Sequence, residues 1–146
     1  MDGKIYQEIQ RVLFERWRGV DTNAGIHTHE LYETDGEFWL GSRGFCGREE
    51  IRRFYAWRRS GQSRTTRHLI LNPIVGFSSD VVTVDYTLVI FGGAGNVPIE
   101  TAPPNMIADA SARLVRHGDR WLFNSHRLVP VMVGQSSIQI PDELPA

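Results

Sequence analysis

From His68 to Val133 the sequence alternates apolar and polar residues in strand-length runs, with short turn signals between them. The runs cover residues 69–77, 81–91, 106–115 and 121–133. They are separated by Ser78-Ser79-Asp80, a Gly/Pro-rich loop over 92–104, and His117-Gly118-Asp119-Arg120. Period-two alternation of this length predicts strands, and the turns between successive strands predict antiparallel pairing. On the second run Val82, Val84, Tyr86, Leu88 and Ile90 share one face, while Val81, Thr83, Asp85, Thr87 and Val89 share the other. Ala108, Ala110, Ala112 and Leu114 on the third run oppose Asp109, Ser111 and Arg113. Both faces carry apolar character, so one is expected to cover helices and the other to meet a second subunit, as a dimer or trimer.

The N-terminal half has a different period. Ile5, Ile9, Val12, Leu13, Trp17 and Val20 recur at helical spacing, which predicts an amphipathic helix ending near residues 19–21. Asp21, Thr22 and Asn23 suit the N-cap of a second short helix through Ile26 and Leu31. Asp21 also lies four residues beyond Trp17, at the margin of the apolar stripe, from where its carboxylate could enter the space the stripe covers. Glu37-Phe38-Trp39-Leu40 and Gly44-Phe45-Cys46-Gly47 suggest a short strand pair. A further helix follows, with Glu49 and Glu50 in its first turn, Ile51, Phe54 and Tyr55 as its stripe, Arg58 and Arg59 in its last turn, and Gly61 as its cap. Helices first and a strand meander second predict an α+β domain spanning 1–146, with 134–146 as an extended tail.

Composition excludes several classes. The net charge is -1, and the chain contains 41% hydrophobic and 23% charged residues, as in an ordinary globular domain. Nothing in that balance points to nucleic acid. Seven arginines between Arg48 and Arg67 fall mostly on the polar side of a helix and read as a solvated face. Cys46 is the only cysteine, so no internal disulfide or cysteine-based zinc cluster can form. No apolar run approaches the ~18 residues of a membrane span, and the N-terminus lacks the order of a signal peptide. The expectation is a cytoplasmic protein that needs no metal and no cofactor.

His68 is the most useful side chain for chemistry, because its ordinary pKa lies near neutrality. Spacing leaves two readings open. Either His68 satisfies a strand-edge carbonyl while Asp21 caps a helix, or the two form an acid/base pair. His27 and His29 are two residues apart, which is wrong for one face of a helix and favours surface histidines over zinc ligands.

The order of several segments adds to this reading. Val20-Asp21, Glu30-Leu31-Tyr32, Gly47-Arg48-Glu49-Glu50-Ile51, Phe54-Tyr55-Ala56-Trp57-Arg58-Arg59, Arg67-His68-Leu69-Ile70-Leu71-Asn72 and Trp121-Leu122-Phe123 followed by Arg127 resemble the SnoaL-like branch of the nuclear-transport-factor-two-like superfamily. The resemblance implies a cystatin-like α+β roll: a curved, mostly antiparallel sheet wrapped around the N-terminal helices, enclosing an apolar pocket for a small hydrophobic ligand. His68 matches the pocket histidine of scytalone dehydratase-like proteins, and Asp21 matches the carboxylate that ends the first helix. Val20 stands where those proteins carry a tyrosine, so Tyr32 is the candidate to polarise a carbonyl. Asp109 falls roughly where an isomerase-like relative holds a carboxylic acid. Tyr55, Trp57, Asn72, Asn124 and His126 complete the candidate pocket residues. The activity implied is a cofactor-independent lyase or isomerase acting on a cyclic or aromatic ketone. The alternative is a noncatalytic subunit resembling dioxygenase β subunits.

Overall fold

The computed structural model describes residues 3–134 and 139–146. Helix α1, Gly3–Asn23, buries Ile9, Leu13, Trp17 and Val20 along one stripe, together with Arg16. It runs past its expected end. The N–H of Gly25 reaches the carbonyl of Gly19 at 3.0 Å, and Ala24 and Gly25 have φ of 53° and 72°. This bond pattern closes a helix through a left-handed residue. Asp21 therefore belongs to the last turn of α1, and the capping role expected of it is not its role. The expected second helix is a 3₁₀ turn, Thr28–Leu31, entered from His27 without a side-chain cap.

Strands β1, Tyr32–Leu40, and β2, Arg43–Cys46, form a hairpin, and helix α2 follows as Arg48–Ser60. Strands β3, Arg64–Ser78, β4, Val81–Ala94, β5, Met106–His117, and β6, Arg120–Val133, make the expected antiparallel meander. The six strands order as β2-β1-β6-β5-β4-β3. The junction β1–β6 is parallel, so the sheet is mixed. Turn signals could not reveal this pairing, because the two strands lie at opposite ends of the chain.

Bulges give the sheet its curvature. One lies between Leu71 and Ile74 of β3, where Asn72 takes φ 54°. Others lie at Ile107/Ala108 and Arg113/Leu114, and each adds one residue to β6. An extra residue bends its strand and raises the local twist. The sheet curls over α1 and α2, and Phe38, Phe45, Tyr86, Leu88, Leu114, Phe123 and Leu128 join the helical stripes in one core. The outer face keeps Leu69 and Leu71 of β3 and Val129 and Val131 of β6 exposed. Among the described residues no helix is long and apolar enough to cross a membrane. In the tail, Ile140 and Leu144 pack against this chain's own core.

Candidate functional site

The end of α1 and the start of β3 meet at a hydrogen-bonded pair. Asp21 Oδ1 lies 2.6 Å from His68 Nδ1 and accepts the Thr66 hydroxyl at 2.9 Å, while Oδ2 accepts the His68 backbone N–H at 2.8 Å. Thr66 and His68 lie on the same strand face because they are two residues apart. The two acidic and imidazole side chains are 7% and 5% exposed, so the pair is shielded from bulk water. Burial lowers the His68 pKa below its ordinary value; the Asp21 carboxylate pulls in the opposite direction, and Arg58 and Arg16 add to the lowering. A neutral His68 that donates Nδ1–H to Asp21 carries its lone pair on Nε2, which has no partner among the described residues.

Beside this pair is a cavity of about 260 Å³. Trp17, Val20, Phe38, Leu40, Phe54, Ile90, Met106 and Leu128 supply its apolar wall, and Ile140 of the tail joins them. Its polar groups are Tyr55, Arg58, Arg64, Thr66, His68 and Asn105. Trp17 stacks on His68 with centroids 4.6 Å apart and planes at 16°, fixing the imidazole on one side. Among the described residues no cluster of His, Cys, Asp or Glu is placed to hold a metal.

The profile of the SnoaL-like domain matches residues 4–127, which is most of the chain. The chain belongs to the SnoaL-like family. No match was found among curated protein sequences. Solved structures give the same fold. A protein from Catenulispora acidiphila, in complex with S-DNPA, is 18% identical with a TM-score of 0.75, covering 88% of this chain and 95% of its own. A Novosphingobium aromaticivorans protein provisionally named scytalone dehydratase is 17% identical, with a TM-score of 0.75 and coverage of 92% and 89%. An NTF2-like protein with a cystatin-like fold from the same organism is 17% identical, with a TM-score of 0.69 and coverage of 86% and 81%. At such identity the likeness establishes the shared SnoaL-like fold.

Behind the wall of this SnoaL-like cavity runs a buried polar chain. Arg16 Nε donates to the Tyr32 hydroxyl at 2.9 Å, which lies 3.0 Å from His126 Nδ1. His126 Nε2 lies 2.6 Å from the Tyr86 hydroxyl, and that oxygen accepts the Trp17 indole N–H at 2.9 Å. Burial raises the pKa of both phenols and, with the charge of Arg16, lowers that of His126 well below its ordinary value. The chain thus holds Trp17, and Trp17 holds His68.

Of the residues expected in the pocket, Tyr55 lines it, whereas Tyr32 and His126 belong to the buried polar chain behind it. Tyr32 therefore lies outside the cavity wall, and Tyr55 is the phenol on it. Asp21 orients His68 without lining the cavity itself. Trp57 packs at the edge of the core, against Phe54, outside the wall. Asn72 turns outward at the β3 bulge and is exposed. Asp109 pairs in register with Thr87 and Val129 on the outer face of the sheet. Asn124 is the extra residue of a β6 bulge; it leaves the face of His126 and donates to Glu33 at 2.9 Å. Phe123 takes that place, stacked on His126 at 4.7 Å.

Residue typing missed Arg58 and Arg64, which read as surface charge, and also Thr66 and Asn105. The signal was available for three of them. Arg64, Thr66 and His68 follow period two, and Arg58 lies four residues beyond Phe54 on the stripe of α2.

Proposed function

We propose that this SnoaL-like protein is a cofactor-independent lyase or isomerase of dehydratase or cyclase type, acting on a hydrophobic cyclic or aromatic ketone. The observation that carries the reading is an Asp21-anchored His68 on the wall of an apolar cavity, with Nε2 left unpartnered among the described residues. Nε2 takes a proton from the carbon beside the ketone, and Asp21 stabilises the imidazolium that forms. The same Nε2–H then protonates either a departing hydroxyl, releasing water, or another carbon of the enolate, shifting the double bond. Such proton transfer contributes about 10² to 10⁴ in rate. Tyr55 is the phenol able to hydrogen-bond the ketone oxygen. One structural neighbour of the same fold carries a provisional scytalone dehydratase name, which supports the reading. The test is a thermal-shift screen of cyclic ketones and phenols, followed by ultraviolet assay of the stabilising compounds for water loss or double-bond migration. Turnover by wild type and none by His68→Ala is expected. Equal stabilisation of both proteins by the same ligands, without turnover, sinks the enzyme reading.

The second reading is a noncatalytic ligand-binding or assembly subunit. It draws on the outer sheet face, where Leu69 and Leu71 are 41% and 43% exposed and Val129 and Val131 are 51% and 54% exposed. Self-association through this face, as a dimer or trimer, is compatible with either function.

A further inference from the structure

Two guanidinium groups line the cavity and a third is buried behind its wall, and among the described residues none of them has a carboxylate within ion-pairing distance. Arg58, in the last turn of α2, and Arg64, which opens β3, are both part of the wall. Neither makes a hydrogen bond to a described residue, and the Nε of Arg64 is buried without a partner. Arg16 lies fully buried behind Trp17 and Phe38, its guanidinium carbon 4.2 and 4.6 Å from their ring centroids. Its two terminal nitrogens make no hydrogen bond to a described residue and face aromatic rings instead.

Neighbouring arginines behave differently. Arg59 donates to the Ala24 carbonyl, Arg67 to the Thr66 carbonyl, and Arg52 grips Glu49. The carboxylate that acts on Arg58 at a distance is Asp21, but both its oxygens are taken by His68 and Thr66. The described cavity wall contains no Asp or Glu. Arg58 and Arg64 are half-buried; drawing a charge even part-way out of water without a partner is costly, and a guanidinium stays charged. Crowding two such groups against one cavity makes sense when the counter-charge arrives with the ligand.

We infer that the cavity selects an apolar ring ligand bearing a carboxylate, with Arg58 and Arg64 binding the anionic group and the aromatic wall binding the rings. Asn105 adds an amide beside them on the same wall. Arg offers paired N–H donors whose fork matches a carboxylate. This deepens the proposed function and rests on its reading of the cavity as the ligand site; it does not depend on the proton transfer at His68.

The test uses 2-naphthoate and its neutral analogue 2-naphthamide, titrated calorimetrically into wild type, Arg58→Gln, Arg64→Gln and the exposed control Arg11→Gln. Wild type and the control should bind the acid about 10-fold or more tightly than the amide. Each cavity variant should lose most of that preference, with affinity for the acid falling several-fold more than affinity for the amide. The wild-type ratio requires no variant to fold. Equal affinity for acid and amide overturns the anion inference and leaves the ligand-site reading standing. A preference that survives both cavity substitutions also overturns it. Binding of neither compound by calorimetry overturns the inference and the ligand-site reading together.

Discussion

Asp21 Oδ1 lies 2.6 Å from Nδ1 of His68, and Oδ2 of the same carboxylate accepts the histidine's backbone N–H at 2.8 Å. The carboxylate therefore fixes both the ring and the strand that carries it. This arrangement selects the tautomer with a free Nε2, which is the form needed to accept a proton inside the cavity.

Asp21→Asn should keep the fold but lower turnover by about 10² or more, because an amide cannot stabilise the imidazolium as a carboxylate does. The check is kcat across pH 5 to 9 against a circular dichroism control. A shifted pH profile with folded protein supports orientation by Asp21, and an unchanged profile and rate count against it.

Acid sensitivity follows from the two buried histidines. Burial holds the pKa of His68 below its ordinary value and that of His126 well below it. The unfolded chain therefore binds protons that the folded chain does not, starting near the ordinary pKa of ~6.5. Their contribution to stability is fully present above that pH. As pH falls through this value toward the folded pKa of each group, stability drops by up to about 1.4 kcal/mol per pH unit per histidine. Urea unfolding at pH 7.5, 6.5 and 5.5 measures it, and His126→Gln should flatten the acid limb.

Tyr86 bridges Trp17 and His126 through one hydroxyl. Tyr86→Phe leaves the indole N–H and an imidazole nitrogen unpaired in the core, at a cost of about 1 to 3 kcal/mol. Chemical denaturation reads the loss. A shift in tryptophan emission that is absent in a Trp17→Phe background should accompany it, because the ring loses its anchor beside His68.

Much of the fold was legible in the sequence. The α1 stripe, the α2 charge pattern and the four meander strands follow from period and turn chemistry, and the pairing of β3 to β6 follows with them. Three things were not legible. The parallel β1–β6 junction joins distant segments. The bulges at Asn72 and Asn124 each reverse the face that simple alternation assigns. Residue type alone also cannot separate a solvated arginine from one turned into a cavity, which is why Arg58 and Arg64 were read as surface. The Asp21–His68 pair was the part of the site that spacing left open and the resemblance brought forward.

The outer sheet face supports a solution prediction. Light scattering of the purified chain should give a dimer or trimer, and Leu71→Glu should shift it to monomer with the fold retained. A wild-type monomer at micromolar concentration removes the sheet-docking proposal.

Proton transfer at His68 is tested most directly by exchange. The α-protons of 2-tetralone in D₂O, followed by proton NMR, should be lost faster with wild type than in buffer. His68→Gln, folded and still binding the ketone, should return exchange to the buffer rate. Equal exchange by both proteins, or no acceleration by wild type despite saturating ketone, would contradict His68 as the proton-transfer group.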